Sequence, residues 1–137
     1  MDDLLAEFLA ESAENLESIG TDLVRWEERP DDLALLDRVF RVVHTIKGTC
    51  GFLNLPRLGL LAHETEGPLA RARSGAATPT TQFISTILAA IDAIRTILDT
   101  LAETGKEPAG SDAELLARIA VVGIGVGVVR RAQPGRG

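Results

Sequence analysis

The sequence is poor in the features that mark several large classes of protein. It has a single cysteine, Cys50, so no disulfide can form within the chain and a reducing compartment is expected. Its longest apolar run, residues 119–129, has 11 residues including three glycines and is too short to cross a bilayer. The opening Met1-Asp2-Asp3 is acidic where the start of a secretory signal would be basic. We therefore expect a soluble cytoplasmic domain.

Positive charge is also scarce, with 14 Lys and Arg against 20 Asp and Glu and a net charge of −6. Nucleic-acid binding depends on Lys and Arg facing phosphates, so this balance argues against it. The sequence has no glycine-rich phosphate loop and no group of acidic residues spaced as a Mg²⁺ site. We expect no cofactor in this chain.

What the sequence does have is helical periodicity, because apolar residues recur every three or four positions along most of its 137 residues. The predicted helices cover about residues 5–29, 31–50, 56–73, 79–103 and 112–120. Short connections between four long amphipathic helices predict an all-α fold, an up-down four-helix bundle with a short fifth C-terminal helix. The bundle domain is expected over residues 1–120. Glycines punctuate the remainder, so residues 121–137 are predicted to be an irregular, Gly-rich tail or the start of a linker.

The segment over residues 40–49, FRVVHTIKGT, has the most distinctive chemistry. At about 100° per residue, His44 shares an outer helix face with Arg41, Lys47 and Gly48, while the apolar stripe lies to the side. An exposed imidazole can act as a nucleophile near neutral pH, and Lys47 can neutralise an incoming anion. Gly48 leaves room beside the ring although a mid-helix glycine costs roughly 0.5–1 kcal/mol relative to alanine. Arg41 could attract an acidic or phosphorylated partner. The pattern predicts a histidine that accepts and passes on a phosphoryl group.

The third predicted helix offers a second half for this site. His63 and Glu66 are three residues apart and therefore share a helix face. If the two helices are adjacent and antiparallel, the Glu66 carboxylate can accept a hydrogen bond from one ring N–H of His44, which fixes the tautomer and makes the other nitrogen more basic. Pro68 lies two residues beyond Glu66 and removes a backbone hydrogen bond, so a kink is predicted there.

Three segments together resemble the histidine-phosphotransfer (HPt) domain at the N-terminus of the CheA family of chemotaxis histidine kinases. They are residues 8–14 (FLAESAE), 40–48 (FRVVHTIKG) and 61–66 (LAHETE). The resemblance runs from residue 8 to about residue 75, and the later helices match in pattern and length only. It implies a four-helix bundle with one further helix appended.

The resemblance also implies roles for particular residues. His44 would be phosphorylated through its Nε2 atom, and Glu66 would bind the Nδ1–H group of the same ring. Lys47 would steady the phosphoryl oxygens, His63 would belong to the same polar network, and Gly48 would give partner proteins access. The phosphoryl group would come from ATP held by a separate kinase ATP-binding domain and pass to an aspartate on a response regulator receiver domain of the CheY or CheB type.

On this interpretation the chain alone is a phosphoryl carrier without an ATP site, and its parent protein is expected to be a CheA-type protein-histidine kinase. The isolated domain is expected to be monomeric. A free-standing phosphorelay protein and a purely structural or adaptor bundle are the alternatives within helical folds. A metal site built from His44, His63 and Glu66 is a further alternative, which a lysine beside the histidine disfavours because it would repel a cation.

Overall fold

The computed structural model describes the backbone of residues 2–132 and the side chains of residues 2–123. Every regular element in that part of the chain is an α-helix. The helices are α1 (Asp3–Ser18), α2 (Gly20–Glu28), α3 (Leu33–Leu53), α4 (Pro56–Arg73), α5 (Thr81–Thr104) and α6 (Ala113–Ala132). None of the described helices is long and apolar enough to cross a membrane. The predicted all-α bundle with an additional C-terminal helix is confirmed.

The first predicted helix is divided into α1 and α2 at Ile19, which has φ −96° and ψ 3°. Ser18 turns its hydroxyl back to the carbonyl oxygen of Asn15 at 2.7 Å, and Gly20 follows as a weak helix former. Ile19 itself is buried in the core. The helix is therefore interrupted at Ile19, but the apolar stripe continues from α1 into α2.

Helices α3 and α4 form a tight antiparallel hairpin that places the site. Asp32 begins α3 by accepting hydrogen bonds from the N–H groups of Ala34 and Leu35 at 3.0 and 3.2 Å. At the other end Asn54 takes the left-handed conformation, with φ 55° and ψ 57°, so α3 ends at Leu53, three residues later than the predicted end at about residue 50. Only two residues separate the helices, so α4 must return along α3.

The N-terminus of α4 is anchored by the loop that precedes α6. The cap residue of α4 has no side-chain hydrogen bond, and Glu107 instead accepts from the N–H groups of Arg57 and Leu58 at 3.2 and 2.7 Å. The Arg57 guanidinium donates two hydrogen bonds to Asp112, at 2.8 and 2.9 Å. The hydrogen bonding from Arg57, against the opposing effect of burial, holds the pKa of Asp112 below its usual value. These contacts hold α4 in place against the rest of the bundle.

The core consists mainly of aliphatic side chains contributed by all six helices. Trp26 and Phe83 meet edge to face, with ring centroids 6.3 Å apart and planes at 87°. The largest fully buried side chains are Trp26, Phe83, Leu36, Ile46, Leu58, Leu61, Leu69, Ile87, Ile91, Ile94, Ile97 and Leu101. This packed interior makes a rigid base for the outer faces of α3 and α4.

Helix α6 corrects the prediction for the end of the chain. The irregular backbone predicted from residue 121 is wrong as far as Ala132, because α6 runs without interruption across residue 120; residues 133–137 lie outside the described residues. Burial decides against the helix-breaking tendency of glycine here, since Ile119 and Val122 pack into the core. The division into a domain over residues 1–120 and a tail or linker over 121–137 stays a prediction.

The contact between α6 and α4 involves the proline that predicted a kink. Pro68 is buried inside α4, which continues through it to Arg73, and a Cβ atom added to Gly123 would lie 3.1 Å from the Cγ atom of Pro68. Arg71 donates a hydrogen bond from Nε to the carbonyl oxygen of Gly123 at 2.9 Å. The proline and the glycine thus lie at a close contact between α4 and α6, and the kink at Pro68 stays a prediction.

Candidate functional site

Glu66 joins the two helices of the hairpin by binding His44 and Lys47 together. Its Oε2 atom accepts a hydrogen bond from the Nδ1 atom of His44, and its Oε1 atom pairs with the Nζ atom of Lys47 at 2.5 Å. His44 lies ten residues before the turn at Asn54 and Glu66 twelve residues after it. At 1.5 Å per residue these are about 15 and 18 Å along antiparallel helices, which is why the side chains meet.

The carboxylate is shielded and the imidazole is open. The side chain of Glu66 is 12% exposed and that of His44 is 57% exposed. Burial by itself raises the pKa of Glu66, but the hydrogen bonds from Lys47 and His44 and their charges outweigh it, so the net pKa lies below its usual value. Glu66 is therefore an ionised acceptor at neutral pH.

An ionised carboxylate determines which nitrogen of the neutral His44 ring carries the proton. Since Glu66 can only accept, the Nδ1 atom of His44 must be the donor, and the lone pair of the neutral ring is then on Nε2. Within the part of the chain that the structure describes, Nε2 has no hydrogen-bond or ion-pair partner. The arrangement presents a nucleophilic nitrogen in a defined tautomer to an approaching molecule.

The structure adds two residues that the sequence did not indicate for the site, Phe40 and Arg73. The Phe40 ring stacks on the His44 ring, with centroids 5.5 Å apart and planes 13° from parallel. The Arg73 guanidinium lies over the Phe40 ring, 4.2 Å from its centroid, and binds Asp37 through Nη2 at 3.0 Å. We call Asp37, Phe40, His44 and Arg73 the Phe40 stack. The spacing of four residues between Phe40 and His44 was a usable signal, whereas Arg73 comes from a different helix.

Arg41 and Gly48 lie on the outer face, as their positions in the helix predicted. The Nε atom of Arg41 donates to Asp37 at 2.7 Å, and its side chain remains largely exposed. The hydrogen bond from Arg41 is the main cause that lowers the pKa of Asp37. A Cβ atom added at Gly48 would meet nothing within 4 Å. The surface one turn beyond His44 is therefore open.

His63 lies outside the network of His44, Glu66 and Lys47. Its side chain is 65% exposed, and its ion-pair contact is with Glu64, where Nε2 lies 3.9 Å from Oε2. The spacing of three residues places His63 near Glu66 along α4, but among the described residues His63 makes no hydrogen bond or ion pair with His44, Glu66 or Lys47. A role for His63 in the polar network stays a prediction that these contacts do not support.

The same contacts bear on the metal-site alternative. Among the described residues, no group of three or more His, Cys, Asp and Glu side chains is arranged to hold a metal ion. Lys47 occupies one oxygen of Glu66, and the ion-pair contact of His63 is with Glu64. The three ligands that the sequence suggested are therefore not brought together.

Cys50 lies two turns beyond His44 on α3 and is buried. Burial first, and the negative charge of Glu107 second, raise the pKa of the Cys50 thiol to about 11. The neutral thiol is a poor nucleophile, and Cys50 packs among the apolar residues of the core.

Comparison with known proteins places this arrangement among phosphotransfer domains. A model of the Hpt domain family matches residues 3–104. The chain is 44% identical over 110 residues to the sensor histidine kinase CheAY of Helicobacter pylori, an alignment that covers 78% of this chain and 14% of that protein. It is 33% identical over 105 residues to the chemotaxis protein CheA of Halobacterium salinarum, covering 77% of this chain and 16% of the relative. The chain thus spans only a small part of the curated relatives it matches.

Solved structures give the same result for the fold. The phosphorylated P1 domain of CheA3, in complex with CheY6 from R. sphaeroides, matches with a TM-score of 0.82 and 24% identity, over 92% of this chain and 99% of that chain. The solution structure of the histidine phosphotransfer domain of CheA matches with a TM-score of 0.77 and 27% identity, over 88% of this chain and 92% of that chain. Helices α1 to α6 therefore adopt a fold seen in phosphotransfer domains.

Proposed function

This chain belongs to the Hpt domain family, and we propose on that basis that it is the histidine phosphotransfer domain of a chemotaxis-type two-component kinase, with His44 as the residue that carries the phosphoryl group. One observation carries the assignment of His44. Its ring is exposed, yet its Nδ1 atom is bonded to the shielded carboxylate of Glu66, which leaves Nε2 free to react.

In the proposed reaction the Nε2 lone pair of His44 attacks the γ-phosphorus of ATP bound by a kinase domain. A nitrogen–phosphorus bond forms, the bond to the bridging oxygen breaks, and ADP leaves. The ring becomes cationic as it reacts, and the carboxylate of Glu66 stabilises that charge through the Nδ1–H group. Phosphoryl transfer depends mainly on positioning and electrostatic support, and this geometry provides both.

The second half of the reaction passes the phosphoryl group to a response regulator. A receiver-domain aspartate attacks the phosphorus, the nitrogen–phosphorus bond breaks, and Nε2 recovers its lone pair. One structural relative is a phosphorylated P1 domain in complex with CheY6, which supports a receiver domain as this partner. The exposed face around Gly48 provides the room that such a partner needs.

Lys47 supports both the acceptor and the phosphoryl group in this proposal. Its ammonium group has three donors, one of which is directed to Glu66. The side chain is partly exposed, and the proposal assigns its remaining donors to the oxygens of a phosphoryl group on His44. Lys47 thereby offsets negative charge that would otherwise accumulate between Glu66 and the phosphate.

The surroundings of the domain are part of the proposal. The chain spans 14% and 16% of the two curated relatives described above, so we propose that a separate kinase ATP-binding domain supplies the phosphoryl group and binds the ATP and Mg²⁺. The domain itself would act as a monomer, in the cytoplasm, and without a cofactor of its own.

The test is incubation with a CheA-type kinase domain, ATP and Mg²⁺. Wild-type protein should acquire an acid-labile, base-stable phosphate, and His44→Gln should acquire none. His63→Gln is the matched control, because it removes the other histidine of the chain and should still be phosphorylated. Equal labelling of wild type and His44→Gln would refute the assignment, and no labelling of the wild type would favour a structural or adaptor bundle.

A further inference from the structure

The hydrogen bond to Glu66 leaves one property of the His44 ring undetermined. A single hydrogen bond tolerates a range of lengths and angles, so the χ1 and χ2 torsions of the ring can still vary and change the direction of Nε2. The ring is more than half exposed, so surrounding protein does not prevent this rotation by enclosure. In-line attack on phosphorus requires Nε2 to point in a defined direction, because geometric errors of about 1 Å can cost roughly 100-fold in rate.

Phe40 supplies a contact that fixes the plane of the ring. The two rings are nearly parallel, at 13°, and their centroids are 5.5 Å apart, which describes an offset stack. Because Phe40 precedes His44 by four residues on α3, its ring lies one helical turn before the imidazole. Glu66 holds an edge of the imidazole and Phe40 holds a face, and the two contacts together define the direction of Nε2.

Phe40 is itself held by a charged group from the neighbouring helix. Arg73, in the last turn of α4, has its guanidinium 4.2 Å from the Phe40 ring centroid. Asp37 binds that guanidinium and lies three residues before Phe40, while His44 lies four residues after it. The guanidinium therefore contacts the Phe40 ring from the N-terminal side of α3. The imidazole of His44 contacts the same ring from the C-terminal side. Asp37 is in turn held by Arg41.

We propose that Phe40 and Arg73 are positioning residues for phosphoryl transfer, which hold the plane of the His44 ring so that Nε2 faces the incoming phosphorus. This inference rests on the proposed function of His44 and deepens it. Neither residue touches the phosphoryl group. Arg73 acts on Phe40 and Phe40 acts on His44; without them the hydrogen bond to Glu66 persists, but the torsions of the His44 ring vary more widely.

The experiment compares four variants of the whole chain. Phe40→Leu removes the stack and keeps an apolar side chain, Phe40→Tyr keeps an aromatic ring, and Arg73→Gln removes the guanidinium. Arg38→Gln is the matched control, because Arg38 also lies on α3 but forms its ion pair with Asp22 of α2, at 2.8 Å, and with no member of the Phe40 stack. Three quantities are measured: the initial rate of phosphorylation by the kinase domain, the NMR signals of the His44 ring protons, and the thermal midpoint.

Phe40→Leu should slow phosphorylation by about tenfold, a fraction of what misplacement of a reacting group can cost. It should also shift the His44 ring-proton signals, because the ring current of Phe40 is lost. Arg73→Gln should slow the reaction by about threefold, since it loosens the stack without removing it, and shift the same signals less. Phe40→Tyr keeps the aromatic ring, so it should be phosphorylated at about the wild-type rate and keep the ring-current shift of the His44 ring protons. Arg38→Gln should match the wild type in rate and ring signals.

A Phe40→Leu protein that is phosphorylated at the wild-type rate, or whose His44 signals do not move, overturns the role of Phe40. An Arg73→Gln protein that matches Arg38→Gln overturns the role of Arg73. If Phe40→Leu fails to fold, Arg73→Gln and Phe40→Tyr still decide the question. The NMR measurement needs no phosphate, so a wild type that accepts none would refute the proposed function while the ring signals still test the stack.

Discussion

At the scale of single residues, the reactivity proposed for His44 depends on the opposite environments of the two side chains that form its contact with Glu66. The imidazole is exposed enough to reach an incoming phosphoryl group, and its acceptor Glu66 is shielded enough to make the shared hydrogen bond strong. Lys47 compensates the charge that shielding would otherwise make costly. A histidine exposed to the same degree without this acceptor would exchange tautomers freely, and Nε2 would carry the proton part of the time.

The lowered pKa of Glu66 predicts that the stability of the protein depends on pH. The pKa of this carboxylate is lowered in the folded protein, so its contribution is fully present above the unfolded value of about 4.3 and is lost as pH falls through the folded value. Glu66→Gln should lower the free energy of unfolding by about 1–2 kcal/mol at pH 7. The difference from wild type should shrink as pH falls from about 5 to 3. Urea unfolding at a series of pH values, followed by Trp26 fluorescence, measures it.

The control for this measurement is Glu64→Gln, which alters an exposed carboxylate two residues earlier on α4. It should lower the free energy of unfolding by less than Glu66→Gln at pH 7. A difference between Glu66→Gln and wild type that is the same at pH 3 and pH 7 would contradict the lowered pKa.

At the scale of elements, the α3–α4 hairpin carries the reacting residues, their acceptor and the stack. Asp32 caps its start, Asn54 turns it, and Glu107 with Arg57 secures the return helix. Glycine has a separate purpose on this element. Gly48 has a low helix propensity, which lowers stability, but it leaves the surface beside His44 free of a side chain.

Substitutions at Gly48 should separate stability from access. Gly48→Ala should raise the free energy of unfolding by about 0.5–1 kcal/mol, because the added methyl group meets nothing within 4 Å and alanine favours the helix. Gly48→Arg should leave the bundle folded and slow phosphorylation by about tenfold or more, because the long side chain obstructs a docking partner. Denaturant unfolding and the initial phosphorylation rate measure the two effects.

Ala34→Arg is the control for bulk and charge, since Ala34 is exposed on the same helix ten residues before His44. It should be phosphorylated at the wild-type rate. If Gly48→Arg were also phosphorylated at that rate, access beside His44 would not be the reason for the glycine.

At the scale of the whole molecule, α6 belongs to the same packed unit as the helices that carry the site. It contacts both α4 and α5, and Ile119 and Val122 are buried in the common core. Arg71 and Pro68 tie it to the C-terminal half of α4. A destabilising substitution in α6 should therefore lower the free energy of unfolding of the whole bundle.

Ile119→Ala tests this cooperativity. Ile119 is 1% exposed, so its truncation should lower the free energy of unfolding by about 2–4 kcal/mol. Val121→Ala is the matched control on the same helix; Val121 is 60% exposed, and the change should stay within about 0.5 kcal/mol. Far-UV circular dichroism and Trp26 fluorescence should report the same transition. Separate transitions, or equal effects of the two substitutions, would mean that α6 folds independently of the bundle.

The helices and the faces that they turn inward or outward could be predicted, because both depend on the spacing of residues that are close in sequence. The apolar period determined which face of each helix turns inward, and the position of His44 beside Lys47 and Gly48 followed from helical geometry alone. The pairing of His44 with Glu66 was also predictable, since a short connection forces the two helices to be antiparallel and both residues lie at similar distances from the turn. The residues that the sequence assigned to the outer face do lie there.

What only the tertiary structure decided are the contacts between side chains that are distant in sequence or compete for one partner. In the folded chain Lys47 pairs with Glu66, the guanidinium of Arg73 lies over the ring of Phe40, and the contact of His63 is with Glu64. The tertiary structure also carried α6 through its glycines, because burial of Ile119 and Val122 outweighs a local preference of about 1 kcal/mol per glycine. Local sequence sets which way a side chain faces, but the choice among the partners it can reach depends on the packing of the whole chain.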